Sequence, residues 1–97
     1  MKTSPADEEN LYGAILSLKT VAECKAFFTD LCTPGEIASF KERWKIAYLL
    51  HKGDASYRKI AEETGSSLAT ITRVARFLNQ ENYKGYEMVL NRIYKKD

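Results

Sequence analysis

Apolar side chains recur along this chain at three- and four-residue spacing, and nowhere with the two-residue alternation of a half-buried strand. The pattern predicts an all-α protein of about six short helices. Residues around Asp7–Leu18 place Leu11, Ile15 and Leu18 on one face. Thr20 and Glu23 read as a capping box opening a second helix, with Val21, Cys24, Phe27, Phe28 and Leu31 as its apolar stripe. The stretch "TPGE" is a stronger start signal: Thr33 is the N-cap, Pro34 takes the first helical position, and Glu36 reaches back from the third. This helix is expected to run to about Lys52 and to stop at Gly53. It carries Ile37, Phe40, Trp44, Ala47 and Tyr48 on one side, with Ile46, Leu49 and Leu50 on another. A helix apolar on two sides needs neighbours on both. In so short a chain, some of those neighbours are expected from a second subunit.

Ser56 then caps a helix over Tyr57–Glu63, "TGSS" breaks it, and Ser67 opens the next through about Asn79. A final helix is expected to begin near Tyr83, with Tyr86, Val89, Leu90 and Ile93 on its apolar side. Gly85 would then lie inside it, at a cost of about 1 kcal/mol against alanine. The first few residues and the closing "KKD" read as tails, and residues 1–97 as one domain.

A chain of 97 residues buries only about 60–65% of its unfolded surface, which again favours completing the core by oligomerisation. The hydrophobic share of 44% and charged share of 29% suit a soluble globular protein. No apolar run approaches a membrane span, and Met1–Asn10 lacks a signal peptide's apolar stretch, so a cytoplasmic location is expected. The net charge of +2 is small, but its distribution is uneven. Asp7, Glu8 and Glu9 lie near the start, whereas Lys41–Lys59 holds six Lys or Arg against Glu42 and Asp54. Clustered cations favour a phosphate-bearing partner through counterion release.

Cys24 and Cys32 lie on what reads as one helix, about 12 Å apart along its axis, which is beyond disulfide reach. With the single His51 they make no zinc spacing, and reduced core thiols are expected. No nucleophile–base constellation or glycine-rich phosphate loop is visible, so neither an enzyme nor a metal protein is expected. His51 reads as a helix-ending residue, and Trp44 as core.

The chemistry concentrates in "YRKIAEETGSSLATITRVARFLN", Tyr57–Asn79. Two helices joined by a short turn make a helix-turn-helix, here over about residues 56–79. Ala61 is small where the second helix would pass closely. Gly65 permits a left-handed turn, and Ile60, Ile71 and Val74 are apolar where the angle between the helices needs filling. The second helix of such a motif enters the major groove by its N-terminal end, while the first crosses the backbone. Ser66, Ser67, Leu68, Ala69, Thr70 and Thr72 would supply short hydroxyl and methyl groups to bases and phosphates, joined by Arg73. Arg58 and Lys59 would lie near a phosphate strand. The alternative from another class is a helical hairpin that only packs, as in a protein–protein adaptor. Such a hairpin does not require a small residue, a glycine and an arginine-bearing polar face together.

From "LCTPGE" to "ARFL", about half the chain, the sequence resembles the Trp repressor family. The resemblance rests on the TP opening, the long helix centred on Arg43, and "ATITR" at Ala69–Arg73. It implies an intertwined homodimer whose outer helices from both chains form one core. It also implies binding to a near-symmetric double-stranded DNA operator with half-sites about one turn apart. Carried over by position, the DNA-facing residues are Arg58, Leu68, Ala69, Thr70 and Thr72. In the family two arginines sandwich the indole of a tryptophan corepressor, and Arg43 and Arg73 align with them. Thr33 and Thr70 also match pocket positions.

Two positions depart from that pocket. Val74 stands where the family has a glycine, and Phe77 where it has a serine that helps hold the ligand's amino group. Added bulk costs about 1–3 kcal/mol in a packed site, and an ammonium left without its acceptor costs further affinity. Phe77, with Val74, is therefore expected to occupy the indole's space. The reading that follows is a dimeric, sequence-specific transcriptional regulator, a repressor, not controlled by tryptophan and without a cofactor, with an effector other than tryptophan left open. A tryptophan-dependent repressor is the alternative within the class.

Overall fold

The computed structural model describes residues 1–94; the closing tail at 95–97 lies outside the described residues. Among the described residues there are six helices and no strand: α1 (Pro5–Leu16), α2 (Val21–Leu31), α3 (Pro34–Lys52), α4 (Tyr57–Thr64), α5 (Leu68–Asn79) and α6 (Gly85–Ile93). They divide into two compact units, Met1–Ile37 and Ala38–Asp97.

In the N-terminal unit the helix starts are set by side-chain caps. Ser4 accepts from the Asp7 amide at 3.4 Å, while the Asp7 carboxylate accepts from the Ser4 amide at 2.8 Å. This box, with Pro5 at the first helical position, starts α1 two residues earlier than the periodicity suggested. The helix also stops at Leu16 rather than Leu18, because the chain tightens there. The Ser17 hydroxyl donates to the Ala14 carbonyl at 2.6 Å, and the Leu18 amide donates to Ile15. At α2, Thr20 caps the Glu23 amide at 3.1 Å, but Glu23 accepts from the Lys19 amide, one residue before the expected partner. The Thr33–Glu36 box forms fully, with reciprocal bonds of 2.8 and 3.1 Å. Neither α1 nor α2 contains a buried residue, and Leu16 and Val21 are 86% and 87% exposed. Both cysteines are free and half-buried.

The C-terminal unit holds a closed apolar core. Ile46 and Ala47 of α3, Ile60 of α4, Ile71 and Val74 of α5, and Leu90 of α6 are at most 1% exposed. Trp44, Tyr48, Leu49, Leu50, Leu78 and Tyr86 pack around them, with Trp44 stacked on Tyr86 at 6.5 Å. His51 lies in the last turn of α3.

Gly65 ends α4 with φ 71°, and its amide donates to the Ala61 carbonyl at 2.9 Å. A Cβ built there would meet nothing within 4 Å, so only the backbone conformation resists substitution. Gly65→Ala is expected to cost about 1–2 kcal/mol of stability, measured by thermal or denaturant unfolding. A loss much larger than that would show that the turn is sterically crowded.

The last helix differs from expectation. It begins at Gly85, preceded by Lys84 in the left-handed region at φ 64°, rather than near Tyr83. The cause is upstream: the Arg76 carbonyl accepts from both the Gln80 and Glu81 amides, and the Arg76 guanidinium grips the Glu81 carboxylate at 2.7 Å. The chain therefore turns and bends over residues 80–82, and Tyr83 and Lys84 stay outside the helix. Gly85 becomes the first helical residue, and the anticipated cost of a glycine in a helix interior does not arise.

Candidate nucleic-acid interface

α4, the turn at Gly65–Ser67 and α5 form the helix-turn-helix, closed from inside by Ile60, Ile71 and Val74. Each helix begins on a serine. Ser56 accepts from the Lys59 amide at 3.1 Å, and Ser67 from the Thr70 amide at 3.1 Å. Free backbone donors remain at each start, which suits an approaching phosphate.

Of the residues singled out in the sequence, Arg58, Lys59, Ser67, Leu68, Ala69, Thr72 and Arg73 are exposed, Leu68 by 57%. Arg58, Lys59 and Arg73 form no ion pair among the described residues, unlike Lys52, Arg76 and Lys84. Their charge is thus available to an external anion. Thr70 is half-buried, and its hydroxyl lies 2.9 Å from that of Ser67, so these two hydroxyls engage each other at the start of α5.

Ser66 departs from the expected DNA-facing set. It is only 7% exposed, and its hydroxyl donates to the Glu42 carboxylate at 2.7 Å. The turn folds this side chain inward toward α3, away from the open face. Spacing along α5 could not show this, because the partner lies 24 residues earlier.

The residues aligned with the ligand pocket are also distributed differently. Thr33 belongs to the N-terminal unit, where its hydroxyl caps α3. Val74 is 1% exposed within the core. Phe77 is half-buried, with the Arg73 guanidinium 4.6 Å above its ring and Tyr83 stacked beside it at 6.1 Å. Arg73, Val74 and Phe77, with Tyr83, Tyr86 and Val89, line a cleft of about 520 Å³ between α5 and α6. Arg43 is half-buried on α3 and is not part of that lining. Of the carboxylates on the same helix, Glu36 serves in a cap and Glu42 accepts from Ser66.

Sequence reasoning missed two features of the face. Arg76 is exposed on α5 four residues after Thr72, a helical spacing that could have signalled it. Tyr83, beside Phe77, had no local signal.

Fold and site define a helix-turn-helix protein with a basic, short-side-chain face. The Trp repressor protein family pattern matches residues 7–94, and the chain belongs to that family. It is 49% identical over 85 residues to the uncharacterized protein YerC of Bacillus subtilis, covering 88% of this chain and 80% of that one. The crystal structure of a TrpR-like protein from Eubacterium eligens matches with a TM-score of 0.84 and 43% identity, covering 98% of this chain and 95% of that one. A proposed Trp repressor from Staphylococcus aureus matches with the same TM-score at 42% identity, over 92% and 87% of the two chains. Membership in this family suggests a DNA-binding regulator. Among the described residues, no helix is long and apolar enough to cross a membrane, and no cluster of potential ligands could hold a metal ion.

Proposed function

We propose that the chain is a homodimeric transcriptional repressor that binds a near-symmetric DNA operator without tryptophan. The observation that carries independence from tryptophan is the stack of Arg73 on Phe77. The guanidinium that would cover an indole already lies on an aromatic ring of its own helix, one turn away. Where the family's serine would receive the ligand's ammonium, the same ring offers no acceptor. Dimerisation is supported by α1 and α2, which hold no fully buried residue within one chain and leave Leu11, Leu16, Val21 and Leu31 exposed. Exposed apolar surface on that scale calls for a partner. The exposed Arg58, Lys59 and Arg73 supply phosphate contacts, while Leu68, Ala69 and Thr72 supply close contacts to base edges.

Selection of duplexes from a random library by the tryptophan-free protein tests this function. A near-palindrome with half-sites about one helical turn apart is the expected product. Absence of any enriched sequence would move the chain to the adaptor class. A finer test concerns the stack itself. Phe77→Leu keeps apolar bulk but removes the ring, and should weaken duplex binding about two- to fivefold, as loss of an exposed cation–π contact implies. Anisotropy titrations measure the change, and unchanged affinity would exclude Phe77 from holding Arg73 ready.

The tryptophan-dependent reading has one observation in its favour. The cleft beside Arg73 is open and lined mainly by apolar side chains. Calorimetric titration with L-tryptophan separates the two: micromolar binding supports corepressor control, and no heat supports the self-filled site.

A further inference from the structure

We infer that Glu42 is a positioning residue for DNA reading: through Ser66 its carboxylate pins the helix-turn-helix turn to α3 and fixes how α5 meets base edges. The inference rests on the DNA-binding function proposed above and goes beyond the residues that would touch DNA.

Ser66 lies between Gly65, which turns the chain, and Ser67, which caps α5. The other polar contacts of this turn are local. Gly65 donates to Ala61, the Ser66 amide donates to the Thr64 hydroxyl at 3.2 Å, and that hydroxyl donates to the Ile60 carbonyl at 2.7 Å. These bonds set the internal shape of the turn, but none ties it to α3. Apolar packing of Ile46 with Ile60 and Ile71 brings the elements together without a preferred direction. The Ser66–Glu42 bond is directional, short at 2.7 Å and charge-assisted, and it spans 24 residues. It thus fixes the start of the recognition helix against a 19-residue rod.

Leu68, Ala69 and Thr72 follow within six residues of Ser66, so a shift at the pin is passed directly to them. Contacts to base edges, apolar for Leu68 and Ala69 and hydrogen-bonding for Thr72, weaken steeply with displacement, whereas phosphate attraction tolerates small shifts. Loss of the pin should therefore reduce discrimination between sequences more than it reduces attraction to DNA. A bond that served only folding would instead lower the active fraction and weaken binding to all duplexes alike.

The test measures affinity of the full-length chain for a duplex selected from a random library, and for a shuffled duplex of equal length. Glu42→Ala should lower the ratio of the two affinities about tenfold, with the salt dependence on the shuffled duplex retained. Ser66→Ala should do the same, and the double variant should lose little more, because both changes remove one bond. Glu42→Gln removes the charge but keeps an acceptor, and should lower the ratio only about two- to threefold, well short of the loss in Glu42→Ala. An unchanged ratio in Glu42→Ala overturns the inference. So does an equal fall on both duplexes, or a fall in Glu42→Gln matching that in Glu42→Ala. An unaltered protein with no preference among duplexes overturns the DNA-binding function and this inference with it, so the two failures are told apart by the unaltered chain alone.

Discussion

Ile71→Ala is expected to lower unfolding free energy by about 2–5 kcal/mol, the range for deleting the outer atoms of a buried isoleucine. Ile71 is 0% exposed and shares its cluster with Ile46, Ile60 and Leu90, drawn from all the other helices of the C-terminal unit. Those residues sit on separate helices, so the space left behind cannot be filled by a local adjustment. Small domains are stable by only about 5–15 kcal/mol in total, so this loss would leave the variant close to unfolding at physiological temperature. Urea unfolding followed by circular dichroism gives the value. A loss below about 1 kcal/mol would mean that the site collapses readily and that the core is looser than its burial indicates.

The second large effect is on DNA binding. Arg58→Ala combined with Arg73→Ala should reduce the slope of log affinity against log salt by about one for each phosphate contact removed. In a dimer that amounts to a fall of about three to four. Both side chains are exposed and make no ion pair among the described residues, so their removal should leave the fold nearly intact. Arg58 lies in the first turn of α4, where a cation is not favoured by the helix dipole, and Arg73 gives up only its contact with Phe77. Anisotropy titrations from low to moderate salt measure the slope. An unchanged slope would place the phosphate contacts elsewhere on the surface.

Much of this was legible in the residues because the determining interactions are local. The Thr33–Glu36 box, the serine caps at Ser56 and Ser67, and the left-handed Gly65 each involve residues within four positions of one another. Single-sequence patterns carry that range well. The Ser4–Asp7 box was equally local, and the missing apolar periodicity in that stretch hid it. What could not be read required distance. Ser66 looked like a groove-facing hydroxyl because its partner on α3 lies far away in sequence. The start of α6 depended on how Arg76 and Glu81 close the preceding turn, which displaced the helix to Gly85. Val74 reads from sequence both as a core filler and as a pocket obstruction. At 1% exposure it fills the core, while also contributing to the wall of the cleft.

Independence from tryptophan is tested most directly by the affinity of the unaltered protein for its selected duplex, measured with and without millimolar L-tryptophan. Equal dissociation constants are expected in both, because Phe77 already supports Arg73. A tightening of tenfold or more with tryptophan would show that the ligand adds about 1.4 kcal/mol to DNA binding. That result would contradict a self-filled site.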